Sequence, residues 1–468
     1  MRTAATVRPA FADELGRRSP APHALRMGGV SLVGDVLLSL GMLLTTASQL
    51  RLGSLPIGPG ELCLVLWLIL ILGCGLGRSG PLVTQALSRL LIFWTLFIFA
   101  QSLGFLTGLF VGEQYDFRWL LHDAMAYPLL MAVSCLSVVG PDAKARLRRV
   151  AWLLTVLGSA SLAFQVAIGW ELFRAPPIQP WFWERFRGWS ANPNQLALLC
   201  AVLGLVALHL AETTARPGRR LIAIIHMILP IYVGRMTGSD TFTLALVACG
   251  PIFVVVKLRA WLLRSDRQMA VHSEFAWIIM LGLPLLLFSL APLVFVATAD
   301  AGVFVKDLSK NGGKALQQES DLRFSLWTDA MQLGVNTSFL GLGPGPHLEI
   351  PPSISEVRSR TKIPLENIEH PQQLTVPNFE AHNSFLDVLT QGGLIAALAF
   401  GWILVVCWRI VYKARTAGLT TLVCGLVIFC MTGLIIRHPI FWFAIALCLV
   451  EDGAVISRAG GQRAYGAA

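Results

Sequence analysis

The chain has 468 residues, of which 55% are hydrophobic and only 14% charged, and its mean hydropathy is +0.65. Soluble domains average roughly 45–50% apolar and about 25% charged, so this composition excludes a string of soluble domains. The net charge of +10 comes from Lys and Arg spread over many short connections rather than one face, which excludes nucleic acid as the partner and leaves membrane lipids.

The apolar residues come in blocks of about 20, the length a helix needs to cross about 30 Å of hydrocarbon. The blocks are apolar on every face and do not alternate, so they are helices rather than barrel strands. In chain order the predicted spans are 28–50, 57–77, 86–111, 117–139, 149–170, 193–212, 220–235, 240–263, 274–298, 384–412, 418–436 and 438–457. The seventh is short and interrupted by Pro230. The fold expected is therefore all-α: a polytopic membrane protein of about 12 spans with one large external loop. Its parts are a cytoplasmic tail (1–27), spans one to nine (28–298), the loop (299–383), spans ten to twelve (384–457) and a second tail (458–468). With the N-terminus inside, 23 of the 37 Lys and Arg fall on cytoplasmic segments, seven on short external loops and seven in the long loop. That bias predicts both termini in the cytoplasm. The Arg- and Pro-rich N-terminal tail is too long for a signal n-region, so span one reads as an uncleaved anchor. All nine cysteines lie inside predicted spans, where they read as small apolar residues rather than a disulfide or metal framework.

Two external segments break the rhythm of spans. Residues 171–192 carry Trp181, Trp183 and Trp189 just after Trp170, which suits a segment lying flat at the outer membrane surface. The loop 299–383 is long enough to be functional. Within it, Leu322, Leu326, Ala330 and Leu333 share one side of a predicted helix over 321–335. The run Gly341-Leu342-Gly343-Pro344-Gly345 reads as a shaping turn, because it lacks the Gly-Lys-Ser/Thr ending of a nucleotide loop. Residues 349–379 read as irregular.

The external side collects Arg185, Arg187, Arg235, Arg323, Arg437, His382 and His438. Guanidinium groups bind phosphate oxygens in pairs and stay charged at any relevant pH, so the set points to an anion site. Asn192-Pro193-Asn194 is expected to cap span six and aim its free N–H groups outward, a second anion-favouring feature. The structural alternative is that these arginines reach lipid headgroups and pair with acids such as Glu184. His382, beside Asn383 and Ser384, has the chemistry to take a proton from a sugar hydroxyl; the alternative is a helix-start residue bonded to Glu380. Asp35, His122, Asp123, His209, His226 and Asp387 lie in or near spans, where ionisable groups are functional or paired; Asp387, one turn below Asn383, stands out.

Three stretches together resemble the O-antigen ligase and polymerase superfamily of bacterial envelope glycosyltransferases: RFRGWSANPNQLAL (185–198), RFSLWTDAMQLGVNTSFLGLGPG (323–345) and AHNSFLDVLTQGGLI (381–395). The matching positions are Arg187, Gly188, Asn192 and Asn194; Arg323 and Trp327; Gly341, Gly343 and Gly345; and His382, Asn383, Gly392 and Gly393. One element departs from the family: where Ser-Arg is expected the chain has Ser239-Asp240, so Asp240 stands in place of the arginine, with Arg235 just upstream.

The resemblance implies an enzyme of the bacterial inner membrane, its site on the periplasmic side. It would move a glycan from undecaprenyl diphosphate to a sugar hydroxyl, without nucleotide, metal or other cofactor and with inversion. His382, Arg187 and Arg323 would be catalytic. Arg185, Arg235, Asn192, Asn194, Asn383 and Arg437 would hold diphosphate or glycan. The partners implied are the lipid-linked glycan donor, a glycan or lipid A core acceptor, and other polysaccharide assembly proteins. The altered Ser-Arg element favours a polymerase, which joins repeat units, over a ligase, which attaches finished glycan to the lipid A core. A polysaccharide or lipid-linked oligosaccharide transporter is the competing class, since 12 spans with both termini inside also suit a carrier. A scaffold for envelope assembly is the remaining alternative.

Overall fold

A computed structural model describes residues 22–51, 57–75, 83–115, 117–140, 142–173, 178–265, 314–349 and 379–452. Twelve α-helices lie in these segments. They are α1 (Pro22–Leu44), α2 (Pro59–Gly75), α3 (Gln85–Val111), α4 (Phe117–Ser137), α5 (Ala143–Gly169), α6 (Pro193–Thr213), α7 (Pro217–Met236), α8 (Asp240–Ser265), α9 (Lys314–Asn336), α10 (Ser384–Lys413), α11 (Ala417–Cys430) and α12 (Pro439–Leu449). Eleven of the twelve predicted spans therefore contain a helix. The ninth, 274–298, lies outside the described residues, as do 1–21 of the first tail, the whole second tail and about half of 299–383.

Six stretches are long and apolar enough to cross a membrane: Gln85–Val111, Trp119–Ser137, Ala143–Gly169, Pro193–Thr213, Asp240–Leu262 and Ser384–Lys413. The protein is thus an all-α polytopic membrane protein. Its surface carries apolar side chains, Leu66, Ile69, Phe99, Phe110 and Leu398 among them, which a lipid solvent requires and water would penalise. α6 is the central element: it packs on α5, α7, α8, α11 and α12 and is buried over most of its length.

The last two helices are shorter than the sequence pattern predicts. α12 has 11 residues, a rise of only about 16 Å. Between α11 and α12 the chain leaves the helix at Met431 and re-enters it at Pro439, whose missing N–H costs nothing at a first helical position. Ser384 satisfies this non-helical link: its hydroxyl donates to the Gly433 carbonyl (2.5 Å) and accepts from the Ile435 N–H (3.0 Å). α12 is buried at every position.

The segment 171–192 holds a hairpin that the sequence pattern did not indicate. β1 (Trp181–Phe182) pairs antiparallel with β2 (Arg185–Phe186). α9 covers the helix expected over 321–335, with Leu326 and Ala330 buried. These two residues join Leu348, Phe379 and Ala381 in a small apolar cluster apart from the main core.

Candidate functional site

At one end of the bundle six separate connections enclose a cavity of about 240 Å³. Ser48 and Arg51 follow α1, Trp119 opens α4, and Thr241 opens α8. Ala191, Asn192, Asn194 and Gln195 surround the start of α6, and Glu380 with His382 precedes α10. Thr432, Gly433 and Ile435 come from the non-helical link, and His438 is the residue before α12. Under the topology read from the charge bias, all six connections lie on the external side. Besides α4, four helices, α6, α8, α10 and α12, begin here, so their positive dipole ends converge on the same space.

His382 is held in a conformation that few non-glycine residues adopt, φ 51°. The constraint is visible on both sides of it. The Asp387 carboxylate accepts from the Ala381 N–H (2.6 Å) and the Asn383 N–H (3.2 Å), bracketing His382. The Asn383 side chain caps α10 by accepting from Phe385 (3.0 Å) and Leu386 (3.4 Å). Phe379 meets the imidazole edge-on at 5.3 Å, and an antiparallel bridge from Leu348 fixes Phe379. Burial lowers the His382 pKa below its ordinary 6.5; Arg323 adds to this and Glu380 opposes it. The ring is therefore neutral at pH 7 and free to accept a proton.

The loop before α6 is built on fixed polar contacts. Asn192 caps α6 by accepting from the Asn194 N–H at 2.8 Å. Gln49 bonds the loop through its amide nitrogen, which donates to the Gln179, Gly188 and Ser190 carbonyls at 3.1, 3.0 and 2.8 Å. Its amide oxygen accepts from the Gln179 N–H at 2.9 Å. Arg187 is buried, donating to the Gln179 carbonyl (3.0 Å), the Gln179 side chain (3.1 Å) and the Ala191 carbonyl (3.3 Å). Arg185 ties Asn194 (2.9 Å) to the end of α7 at the Thr237 carbonyl (2.9 Å). Arg235 donates to the Thr243 hydroxyl at 2.8 Å, linking α7 to α8.

Behind the cavity wall Arg437 is shared by two carboxylates, Asp123 at 2.6 Å and Glu380 at 2.5 Å. Its guanidinium also lies over the Trp119 ring, 5.3 Å from the centroid. Asp123 is fully buried and turns its other oxygen to His122 at 3.0 Å. The network connects α4, the α11–α12 link and the His382 turn.

The glycine motifs meet each other. α10 breaks at Gly393 (φ 64°, ψ −162°), which frees carbonyls of its preceding turn. The Gly341–Gly345 turn supplies their partners: Leu342 N–H donates to Thr390 at 2.8 Å and Gly343 N–H to Gln391 at 2.7 Å. In return Leu394 N–H donates to Phe339 at 2.9 Å. A Cβ at Gly393 would strike the Phe339 carbonyl, and one at Gly341 would strike Gln391, so the two backbones touch only because both residues lack side chains.

Of the residues predicted from sequence, His382, Asn192 and Asn194 line the cavity, and Arg323 acts electrostatically on His382. Asn383 shapes the turn. Arg185, Arg187, Arg235 and Arg437 are not lining residues; the bonds above direct their guanidinium groups to protein acceptors. The sequence reading passed over Arg51, a lining residue that lies in no motif. Counting it among the seven external Lys and Arg was the only signal that could have raised it. Among the described residues no group of three His, Cys, Asp or Glu is placed to hold a metal ion.

No curated protein matches the chain. A family model described as O-antigen ligase matches residues 225–401, which include Arg235, α9, the glycine turn, His382, Asn383 and the Gly393 break. Over that segment the chain is similar to the O-antigen ligase family.

Proposed function

We propose that this protein is a membrane glycosyltransferase that moves a glycan from undecaprenyl diphosphate to a sugar hydroxyl on the periplasmic side, acting as a polysaccharide polymerase. One observation carries the reading: His382, neutral and held by Asp387 and Asn383, faces a cavity on which four helix N-termini converge. That combination suits a reaction needing one proton acceptor and one site for a departing anion.

In the proposed step the acceptor oxygen bonds to the anomeric carbon as the bond from that carbon to the diphosphate breaks. The hydroxyl proton passes to the His382 imidazole, and undecaprenyl diphosphate leaves as the anion with its electron pair. Attack opposite the leaving group inverts the anomeric centre. Preorganised dipoles at the α6, α8, α10 and α12 ends stabilise the charge that develops. Arg323 lies close enough to His382 to lower its basicity and keep it neutral before the step. Arg187, Arg185 and Arg437 serve by positioning, since their donors hold the loops that carry Asn192, Asn194 and Glu380, and Arg235 ties α7 to the start of α8. The enzyme works at the bacterial inner membrane with both termini cytoplasmic.

The test is His382→Ala in the native strain, reading lipid-linked and surface glycans on a gel that resolves chain length. General-base loss typically costs 10²- to 10⁴-fold, so the ladder is expected to collapse to single repeat units. Full-length chains retained on the lipid carrier would assign a ligase instead, and loss of translocation a carrier. Normal ladders from normally expressed protein would sink the reading. In vitro, the acid limb of kcat/KM is expected below 6.5, because the folded pKa is lowered and activity is lost only as pH falls through it. Glu380→Gln removes a charge that raises that pKa, so the limb should move further toward acid.

A further inference from the structure

Arg51 differs from the other arginines of this end. Arg185, Arg187, Arg235 and Arg437 each donate to a protein acceptor. Arg51 lines the cavity with Asn192, Asn194, His382 and His438, and its guanidinium has no partner among the described residues. Its backbone is nonetheless fixed. The 3₁₀ turn Ser48–Leu50 ends at Arg51, whose N–H donates to the Ser48 carbonyl at 3.4 Å. Ser48 in turn accepts from the Ala191 N–H at 2.7 Å, and Gln49 N–H donates to the Trp189 carbonyl at 3.0 Å. A fixed base thus carries a side chain whose donors meet no acceptor among the described residues, beside the N-cap of α6.

We infer that Arg51 is the substrate-contacting cation of the cavity and binds the diphosphate of the polyprenyl-linked donor, a role that no motif assigns to it. The inference rests on the transferase reading. A guanidinium presents paired N–H groups that match phosphate oxygens, and a free one beside converging helix N-termini meets an incoming dianion without first breaking an internal bond. Arginines already bonded to carboxylates or carbonyls would have to give up those bonds to do the same.

The test uses the full-length protein in nanodiscs of zwitterionic lipid, with undecaprenyl diphosphate lacking any glycan as the probe and binding followed by native mass spectrometry. Arg51→Ala is expected to weaken binding about tenfold or more, the range of a charge-assisted hydrogen bond. Arg51→Lys should recover part of it, as a single point charge replaces a fork. Because the side chain has no partner among the described residues, the elution profile and thermal midpoint should match wild type; Arg51→Gln, which keeps a polar side chain without the charge, provides a second neutral variant. Equal binding by Arg51→Ala and wild type overturns the inference and leaves the transferase reading standing. A loss seen only in nanodiscs containing anionic phosphatidylglycerol assigns Arg51 to lipid headgroups and also overturns it. Wild-type protein that fails to bind the probe removes both readings.

Discussion

The two ends of the helix bundle handle charge in opposite ways. At the end away from the cavity, cations extend outward and pair singly. Lys144 meets Glu451 at 2.9 Å with 45% of its side chain exposed, and Lys257 meets Glu212 at 2.6 Å with 50% exposed. Arg146 donates to the Leu136, Ser137 and Val139 carbonyls (3.3, 2.6 and 2.8 Å), and Glu212 accepts from the Ala417 and Gly418 N–H groups (3.2 and 2.7 Å). Cations there meet helix C-termini and anions meet N-termini, as the helix dipole favours. At the cavity end the Arg437 side chain is only 8% exposed and serves two carboxylates, one of them fully buried. Exposed pairs of the first kind cost little to remove, and they suit a role in orientation and in tying helix ends. An enclosed charge with two partners fixes geometry, because each group would pay a large desolvation penalty if left alone.

That contrast sets the order of expected effects. Arg437→Ala leaves Asp123 and Glu380 facing each other without a counter-charge. The expected loss is about 3–5 kcal/mol, read as a fall in the detergent-denaturation midpoint. A loss under ~1 kcal/mol would erase the distinction between the ends. Gly393→Ala comes next, since its left-handed φ and the nearby Phe339 carbonyl leave no room for a Cβ. Strain of roughly 1–3 kcal/mol is expected, with proteolysis between residues 336 and 349 increasing as the glycine turn lifts from α10. An unchanged cleavage pattern would mean the two backbones are not clamped as described. Lys144→Ala should be smallest, at or below ~1 kcal/mol for a half-exposed pair. A larger loss would show that charge at the far end also holds structure.

Much of the scaffold was readable because lipid imposes a simple rule: a spanning segment must be apolar for about 20 residues and helical throughout. The helices over eleven predicted spans follow from it, and the Asn192 and Asn383 caps follow from their side chains competing locally for backbone N–H groups. The early end of α11 was hidden, because the hydropathy pattern carries the eleventh span to 436 while the chain leaves the helix at Met431. The glycine motifs were visible as turns, yet the sequence held no sign that one turn supplies donors to the break in α10, since the partners are about 50 residues apart.

The sequence by itself determined the solvent, the fold class and the place of His382 just before the α10 cap, because hydropathy and local capping are properties of contiguous residues. Only the tertiary structure decided which charges are spent and which are free. Arg187, Arg437 and Arg51 are the same residue type on the same predicted face. Whether a guanidinium has donors left for a ligand depends on acceptors brought to it from distant helices, as Asp123 is to Arg437. A linear pattern records the donor and carries no trace of the fold that uses it.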